Sequence, residues 1–258
     1  MQTHRQIFEY KGHQTAYFDL APEGFEKTIL LIHGFASTAS VNWITTGWIK
    51  TLNEAGFRTI AIDNRGHGAS SKYYSPTDYG PDIFASDALN LLDHLKISSC
   101  DVMGYSMGAR ITCWLCHQEP QRFPNAVFGG MGSHIFGNRG GYEEIAQALE
   151  TDDITSISDP GGLAFRKFAD ATRSDRLALA ACIRPSEKKI TPSIVESVTT
   201  RTLVAVGSDD EIGGSASQLA EMMPNATSYS IPGLDHMKAT GAASFKERVL
   251  QFLAEGKS

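Results

Sequence analysis

The fold prediction rests on the stretch Cys100-Asp101-Val102-Met103-Gly104-Tyr105-Ser106-Met107-Gly108. Its first four residues form a short apolar run that predicts a buried strand, and the run 107–117 that follows is compatible with a helix. Gly104 to Gly108, between them, fits the pattern G-x-S-x-G. In this pattern a serine sits on a strained turn between strand and helix, and the flanking glycines allow the chains to approach closely. The stretch therefore predicts a nucleophilic serine, Ser106, at the end of a strand.

Outward from this stretch, short apolar runs alternate with helical patterns, which is typical of an α/β sheet. Continuous apolar runs predict parallel central strands at 28–32, 59–62, 101–103, 126–128 and 202–206. An opening antiparallel edge hairpin is expected at 7–10 and 15–18, and a last strand at 228–231. Helices are expected at 48–55, 83–95, 107–117, 215–222 and 244–254, with Asp87 on the second helix facing water. The predicted fold class is α/β, with a mostly parallel, doubly wound sheet.

The segment 133–195 breaks the alternation of strands and helices. Roughly sixty residues between neighbouring strands exceed the length of an ordinary connection, and apolar helical patterns occur at 142–149 and 163–182. We therefore expect a helical lid, or cap, at 133–195, inserted into a core domain of 1–132 and 196–258. Its apolar side chains are expected to roof Ser106. The substrate-pocket residues predicted in it are Phe136, Phe165 and Phe168.

Composition and charge limit the possible partners. The chain of 258 residues has 23 Lys and Arg against 29 Asp and Glu, a net charge of -6, which offers no broad cationic surface for nucleic acid or anionic lipid. The lid carries eight basic and nine acidic residues, so its count of charges indicates no charged substrate. We find no apolar run of signal-peptide length and none near the roughly 18 residues of a membrane span. The expectation is a cytoplasmic protein whose partner is a small molecule.

A serine hydroxyl needs a general base and a carboxylate that orients this base. In the order that accompanies G-x-S-x-G, the acid and then the histidine follow the serine. His236 is the only histidine after the acidic cluster Asp209-Asp210-Glu211, and it follows the expected last strand. Such a position at the carboxyl end of a strand is where open α/β sheets place their chemistry. His236 is therefore the predicted base, and three acidic residues compete for the role of its partner.

Five motifs in fixed order carry a resemblance to a known family: Leu31-Ile32-His33-Gly34-Phe35, Asp63-Asn64-Arg65-Gly66-His67-Gly68-Ala69-Ser70, Gly104 to Gly108, Val206-Gly207-Ser208-Asp209-Asp210 and Gly233-Leu234-Asp235-His236. The chain resembles the α/β-hydrolase superfamily of esterases, lipases and haloperoxidase-like serine hydrolases over nearly all of 7–254. The superfamily hosts many unrelated reactions, so the resemblance indicates the fold more strongly than the substrate.

The resemblance implies Ser106 as nucleophile, His236 as general base and Asp210 as orienting acid. Asp210 is preferred because the family commonly reads G-x-x-D, counted here from Gly207; Glu211 replaces the proline that usually follows, which leaves Asp209 as a competitor.

The oxyanion hole implied by the resemblance consists of two backbone N–H groups, those of Phe35 and Met107. His33 and His67 precede the nucleophile in Gly-bounded turns, and we interpret them as residues that order loops. No cofactor and no metal is implied, because no metal-ligand spacing, phosphate-binding loop or dinucleotide fingerprint is present.

The sequence thus predicts a carboxylesterase-like serine hydrolase that cleaves a small ester, lactone or thioester through an acyl-enzyme on Ser106. Two alternatives stay open: a hydrolase of activated C–C bonds of the meta-cleavage type, and a catalytically silent ligand receptor on the same fold. The haloalkane dehalogenases and epoxide hydrolases of this fold use Asp as nucleophile, whereas position 106 is Ser. Those two activities are disfavoured.

Overall fold

The structure is a computed structural model that describes residues 4–137, 140–184, 186 and 188–255. Eight strands form one sheet in the order β1-β2-β4-β3-β5-β6-β7-β8. Their bounds are β1 Gln6–Tyr10, β2 His13–Leu20, β3 Lys27–Ile32, β4 Phe57–Ile62, β5 Asp101–Tyr105, β6 Asn125–Gly129, β7 Arg201–Gly207 and β8 Ala226–Ile231. The hairpin β1-β2 is antiparallel and forms one edge, and β2 pairs antiparallel with β4. The other six strands, β3 to β8, are parallel to one another. The predicted fold class and sheet are confirmed.

Helices connect the strands on both faces of the sheet. They are α1 Trp48–Glu54, α2 Pro81–His94, α3 Met107–Gln118, α4 Tyr142–Glu150, α5 Pro160–Ala171, α6 Arg176–Ile183, α7 Pro192–Glu196, α8 Ala216–Glu221, α9 His236–Ala239 and α10 Ala243–Glu255. The five core helices expected from the sequence all occur, with ends within two residues of the predicted ones. None of the helices in the described ranges is long and apolar enough to cross a membrane.

The alternation of side chains along the strands divides the core into two layers. Leu30 and Ile32 of β3 pack with α2 and α3 on one face of the sheet. Ile29 and Leu31 of the same strand pack on the opposite face, with α1 and α10. All four side chains are fully buried. The central strand is therefore covered on both faces, and only the ends of the parallel strands remain free to carry polar chemistry.

One prediction about α2 is wrong, because Asp87 does not face water. Its side chain is buried, and its two carboxylate oxygens accept hydrogen bonds from Arg65 Nε at 2.6 Å and Nη2 at 2.8 Å. A carboxylate tolerates burial when a guanidinium binds both of its oxygens. Helical spacing alone placed Asp87 on the polar face, and it could not show that Arg65, on the loop after β4, would reach it.

Helices α4 to α7 lie between β6 and β7; all but the last residue of α7 fall within the segment 133–195, which we call the cap. The sequence predicted one continuous helical pattern at 163–182. This prediction is wrong, because the structure has two separate helices there, α5 and α6. Asp175 ends the break between them: its side chain accepts a hydrogen bond from the Ala178 N–H and caps α6. Buried side chains of α4, α5 and α6 form an apolar cluster that also includes Ala36 of the loop after β3. The cap therefore packs against the loop that leaves the central strand.

Candidate active site

Ser106 lies on the turn between β5 and α3. Its backbone has φ 56° and ψ -113°, a combination that a residue with a side chain rarely adopts and that costs about 1–3 kcal/mol. The neighbouring glycines are required by close packing, because a Cβ on Gly104 would lie 2.1 Å from the Gly108 carbonyl oxygen, and one on Gly108 would lie 2.0 Å from that of Ile32. The turn thus exposes one hydroxyl beyond the carboxyl end of β5.

His236 lies beside this hydroxyl, at the first residue of α9. Its Nε2 is 2.9 Å from the Ser106 Oγ, and its Nδ1 is 2.8 Å from Asp210 Oδ2. If the Nδ1 proton is donated to the carboxylate, Nε2 is left as the acceptor for the serine hydroxyl proton. The three side chains therefore form one hydrogen-bonded series, although they come from loops after three different strands.

The structure brings only one of the three candidate acids to His236. Asp210 is buried, and its second oxygen, Oδ1, accepts hydrogen bonds from the backbone N–H groups of Ile212 and Gly213 at 2.9 and 2.8 Å. Asp209 is exposed and accepts a hydrogen bond from Ser208 Oγ instead, and Glu211 is also exposed. The turn after β7 thus fixes the Asp210 carboxylate with two amide donors and directs it at the imidazole.

Two backbone N–H groups are available next to Ser106. Met107 is the first residue of α3, so its N–H has no acceptor within the helix. Phe35 follows Gly34, and a Cβ on Gly34 would lie 3.3 Å from the Ser106 Cβ, so this loop lies directly against the serine. Neither N–H donates to another described residue. The structure therefore places both predicted oxyanion-hole residues beside the hydroxyl that would bear the reaction.

Comparisons with known proteins identify the fold that carries these residues. Residues 27–139 match the family model described as alpha/beta hydrolase fold. The chain has the α/β-hydrolase fold. Solved structures that this α/β-hydrolase-fold chain resembles include a hydrolase from Pseudomonas aeruginosa PA01, with TM-score 0.79, 22% identity and coverage of 96% of this chain and 98% of that one. They also include the enol-lactonase from Burkholderia xenovorans LB400, with TM-score 0.77, 20% identity and coverage of 96% and 100%.

Curated relatives match over shorter segments. An "Epoxide hydrolase" of Caballeronia sordidicola is 36% identical over 153 residues, 58% of this chain and 44% of the relative. A "3-oxoadipate enol-lactonase 2" of Acinetobacter baylyi is 34% identical over 99 residues, 38% of this chain and 36% of the relative. The chain spans less than half the length of these curated relatives. The solved structures, all under 25% identical, establish the fold of this α/β-hydrolase-fold chain rather than its reaction.

Two buried histidines support the loop that carries the Phe35 N–H. His67 Nε2 accepts a hydrogen bond from the Ala36 N–H at 3.2 Å, and Ala36 has the left-handed φ of 58°. His33 Nε2 accepts the Asn64 N–H at 3.0 Å, and its Nδ1 lies 2.7 Å from the Gly34 carbonyl oxygen. Burial lowers the pKa of His33 to about 4 and that of His67 to about 3. Both imidazoles are neutral at pH 7, so each can accept from a backbone N–H.

A cavity of about 460 Å³ opens at Ser106 between the core and the cap. The cap contributes Phe136 and Phe165 to its wall, and the Phe165 ring lies 5.4 Å from that of Phe35. Phe168 does not line this cavity, so the prediction for it does not hold here. It lies three residues after Phe165 on α5 and packs into the apolar cluster of the cap, because that turn of the helix faces α4 and α6.

Sequence reasoning missed three residues that hold this site together. The Tyr105 hydroxyl donates to the His236 carbonyl oxygen at 2.5 Å, and the Asn42 Oδ1 accepts the Gly34 N–H at 3.2 Å. The Asp63 carboxylate accepts backbone N–H groups of Ala39 and Ala69 and so joins two loops. Asp63 opens one of the five motifs, which was a usable signal. Tyr105 lies at a variable position of the motif Gly104 to Gly108 and binds a residue 131 positions away, and Asn42 stands outside the five motifs, so the pattern indicated neither contact.

Proposed function

We propose that the chain is a carboxylesterase-like serine hydrolase that cleaves a small carboxylic ester, lactone or thioester. The observation that carries this proposal is the continuous series from Ser106 Oγ through His236 to Asp210, with contacts of 2.9 and 2.8 Å. Distances of this kind are those at which a base can take the proton of the nucleophile. The relatives named as enol-lactonases support hydrolysis at a carbonyl group.

In the proposed reaction, Ser106 Oγ attacks the carbonyl carbon while its proton passes to His236 Nε2. The Asp210 carboxylate stabilises the imidazolium that forms, and the N–H groups of Phe35 and Met107 stabilise the negative oxygen of the tetrahedral intermediate. The intermediate expels the alcohol or thiol, which takes the proton from Nε2, and the acyl group remains on Ser106. Water then attacks this ester and gives its proton to His236, which returns it to the departing Ser106 Oγ as the carboxylic acid is released.

The identity of the nucleophile favours carbonyl substrates over epoxides, although two curated relatives are named as epoxide hydrolases. If Ser106 opened an epoxide, its oxygen would end in an ether, and water has no carbonyl group there to attack. With a carbonyl substrate, the product on Ser106 is an ester, and the same histidine can activate water to cleave it. Turnover through Ser106 therefore requires an acyl group.

The cap supports this proposal by enclosing the reacting groups. It covers the cavity at Ser106 with Phe136, Tyr142, Ile145 and Phe165, so much of the wall opposite the serine is apolar. An enclosed wall lowers the local dielectric constant, which strengthens the hydrogen bonds to the oxyanion and excludes competing water. We therefore propose that the cap, residues 133–195, acts as the lid of the site.

The test is hydrolysis of p-nitrophenyl acetate, butyrate and octanoate by the purified chain and by its Ser106→Ala variant. We expect wild-type turnover to be abolished in the variant while the circular dichroism spectrum and Tm show a folded protein. Release of p-nitrophenol at the same rate from both proteins would contradict the proposal. A chain that binds these esters without cleaving them would be a ligand receptor, and one that cleaves only activated C–C bonds would act through the alternative reaction.

A further inference from the structure

Cationic side chains line the cavity at Ser106 and set its charge. Arg110, Arg184, Lys188 and Lys189 all contribute to the wall, and no Asp or Glu does so among the lining residues that the structure describes. The sequence could not show this, because acidic and basic residues are nearly equal in number over the cap. The cavity is positive because basic side chains, and no described acidic ones, line it.

The four cations differ in how far protein carboxylates neutralise them. Arg184 is bound by two carboxylates, since its guanidinium lies 3.0 Å from Glu143 Oε1 and 2.6 Å from Glu150 Oε1. Lys188 and Lys189 are exposed at the rim, where water screens their charge. Arg110 is half-buried and forms no ion pair with any acidic side chain of the described ranges. Arg110 is thus the cation inside the cavity whose charge no carboxylate of the described residues compensates.

Arg110 is held rigidly, and part of its guanidinium is still available. Its Nε donates to the Ile135 carbonyl oxygen at 3.1 Å, and its Nη2 donates to that of His134 at 2.9 Å. A guanidinium has five N–H donors in a fixed plane, so these bonds use two of them, and the others donate to no described group. A fixed guanidinium with free donors is suited to bind both oxygens of a carboxylate.

Arg110 lies close enough to Ser106 to bind a group that is attached to the reacting carbonyl. Arg110 lies on α3, four residues after the N-cap Ser106, which is a rise of about 6 Å along the helix axis, and both residues line the cavity. Side chains of a helix lean towards its N-terminus, which here is Ser106. Ser106 is the N-cap of the helix that carries Arg110, and the carbonyl oxygens of His134 and Ile135, at the start of the cap, hold the guanidinium. In this arrangement Arg110 and Ser106 line the same cavity.

We propose that the acyl part of the substrate carries a carboxylate, joined to the reacting carbonyl by a short chain and bound by Arg110. This inference rests on the proposed hydrolase function and names its substrate class: the monoesters, lactones or thioesters of dicarboxylic acids. A carboxylate matches one guanidinium in charge and in its two oxygens. Lys188 and Lys189 at the rim attract such an anion from solution, a contribution that falls with ionic strength.

The test compares two substrates of similar shape, p-nitrophenyl hydrogen adipate and p-nitrophenyl 6-methylheptanoate, in which an isopropyl group replaces the carboxylate. The measured quantity is the ratio of kcat/KM for the adipate to that for the neutral ester, with the Ser106→Ala protein as blank. We expect a ratio of at least about tenfold in the wild type, which is lost in Arg110→Gln and partly kept in Arg110→Lys. Lys50→Gln removes one charge far from the cavity and is expected to keep the wild-type ratio.

A second measurement does not depend on turnover. Monomethyl adipate and dimethyl adipate are titrated into Ser106→Ala and into Ser106→Ala/Arg110→Gln by calorimetry. We expect the monoanion to bind at least about tenfold more tightly than the diester in the first protein and no better in the second. Equal binding of the two esters by Ser106→Ala would overturn the proposal even if the chain is a serine hydrolase. Absence of ester turnover with Arg110-dependent binding of the monoanion would instead overturn the proposed function alone.

Discussion

Asp210 Oδ2 lies 2.8 Å from His236 Nδ1, and the Asp210 side chain is fully shielded from solvent. The neighbouring Asp209 is exposed and makes its hydrogen bond with Ser208. One residue in the turn after β7 therefore separates a carboxylate that can orient the imidazole from one that cannot.

This difference predicts unequal effects of two identical substitutions. Asp210→Asn is expected to lower kcat/KM by about 10⁴, because an amide can hold the imidazole in the tautomer that cannot accept the Ser106 proton. Asp209→Asn is expected to leave kcat/KM within experimental error of the wild type. The measurement is initial-rate kinetics with a p-nitrophenyl ester. Similar losses in both variants would contradict the assignment of Asp210.

The backbone of Ser106 predicts a gain in stability when the side chain is removed. Its φ of 56° and ψ of -113° are strained for serine and ordinary for glycine. Ser106→Gly is therefore expected to raise the free energy of unfolding by about 1 kcal/mol relative to Ser106→Ala, a rise in Tm of about 2–4 °C, while both variants lose turnover. Differential scanning calorimetry measures this difference, and a lower Tm for the glycine variant would argue against strain at the turn.

The two buried histidines predict a dependence of stability on pH. The unfolded chain protonates His33 and His67 below about pH 6.5, whereas the folded chain does so only near pH 4 and pH 3, since burial lowers both pKa values. The unfolded state thus binds more protons, and the free energy of unfolding falls as the pH falls from about 6.5 towards 4, by up to about 1.4 kcal/mol per pH unit for each histidine.

Urea unfolding between pH 4 and pH 7 tests this dependence. His67→Gln keeps a side-chain acceptor for the Ala36 N–H and removes one titrating group, so it is expected to flatten the slope. His94→Gln, at an exposed position on α2, is expected to keep the slope of the wild type. An unchanged slope in His67→Gln would show that this imidazole does not stay neutral in the folded state.

Two phenylalanines of α5 are expected to differ in the property that their substitution changes, one affecting substrate preference and the other stability. Phe165 lines the cavity, so Phe165→Ala is expected to change the ratio of kcat/KM between octanoate and acetate esters. Phe168 packs inside the cap, so Phe168→Ala is expected to lower the free energy of unfolding by about 2 kcal/mol and to leave that ratio unchanged. If the ratio of kcat/KM changed in Phe168→Ala and not in Phe165→Ala, Phe168 rather than Phe165 would line the pocket.

Much of the fold and the position of the site could be predicted from the sequence, because local patterns determine them. The strand before Ser106, the glycines around it and the order of His236 after the acidic cluster are all local or ordered features. Facts that depend on long-range orientation could not be predicted. Asp87 is buried because Arg65 reaches it from another element, and the charge of the cavity depends on Arg110 facing inward while Glu143 and Glu150 bind Arg184.

The most direct test of the central claim is to identify the residue that becomes covalently modified. The wild-type chain is treated with a fluorophosphonate, digested and mapped by mass spectrometry, with Ser106→Ala as the matched control. The account predicts one adduct, on the peptide that contains Ser106, formed in parallel with the loss of esterase activity, and no adduct in the variant. An adduct on another residue of the wild type, or loss of activity without modification of Ser106, would contradict it.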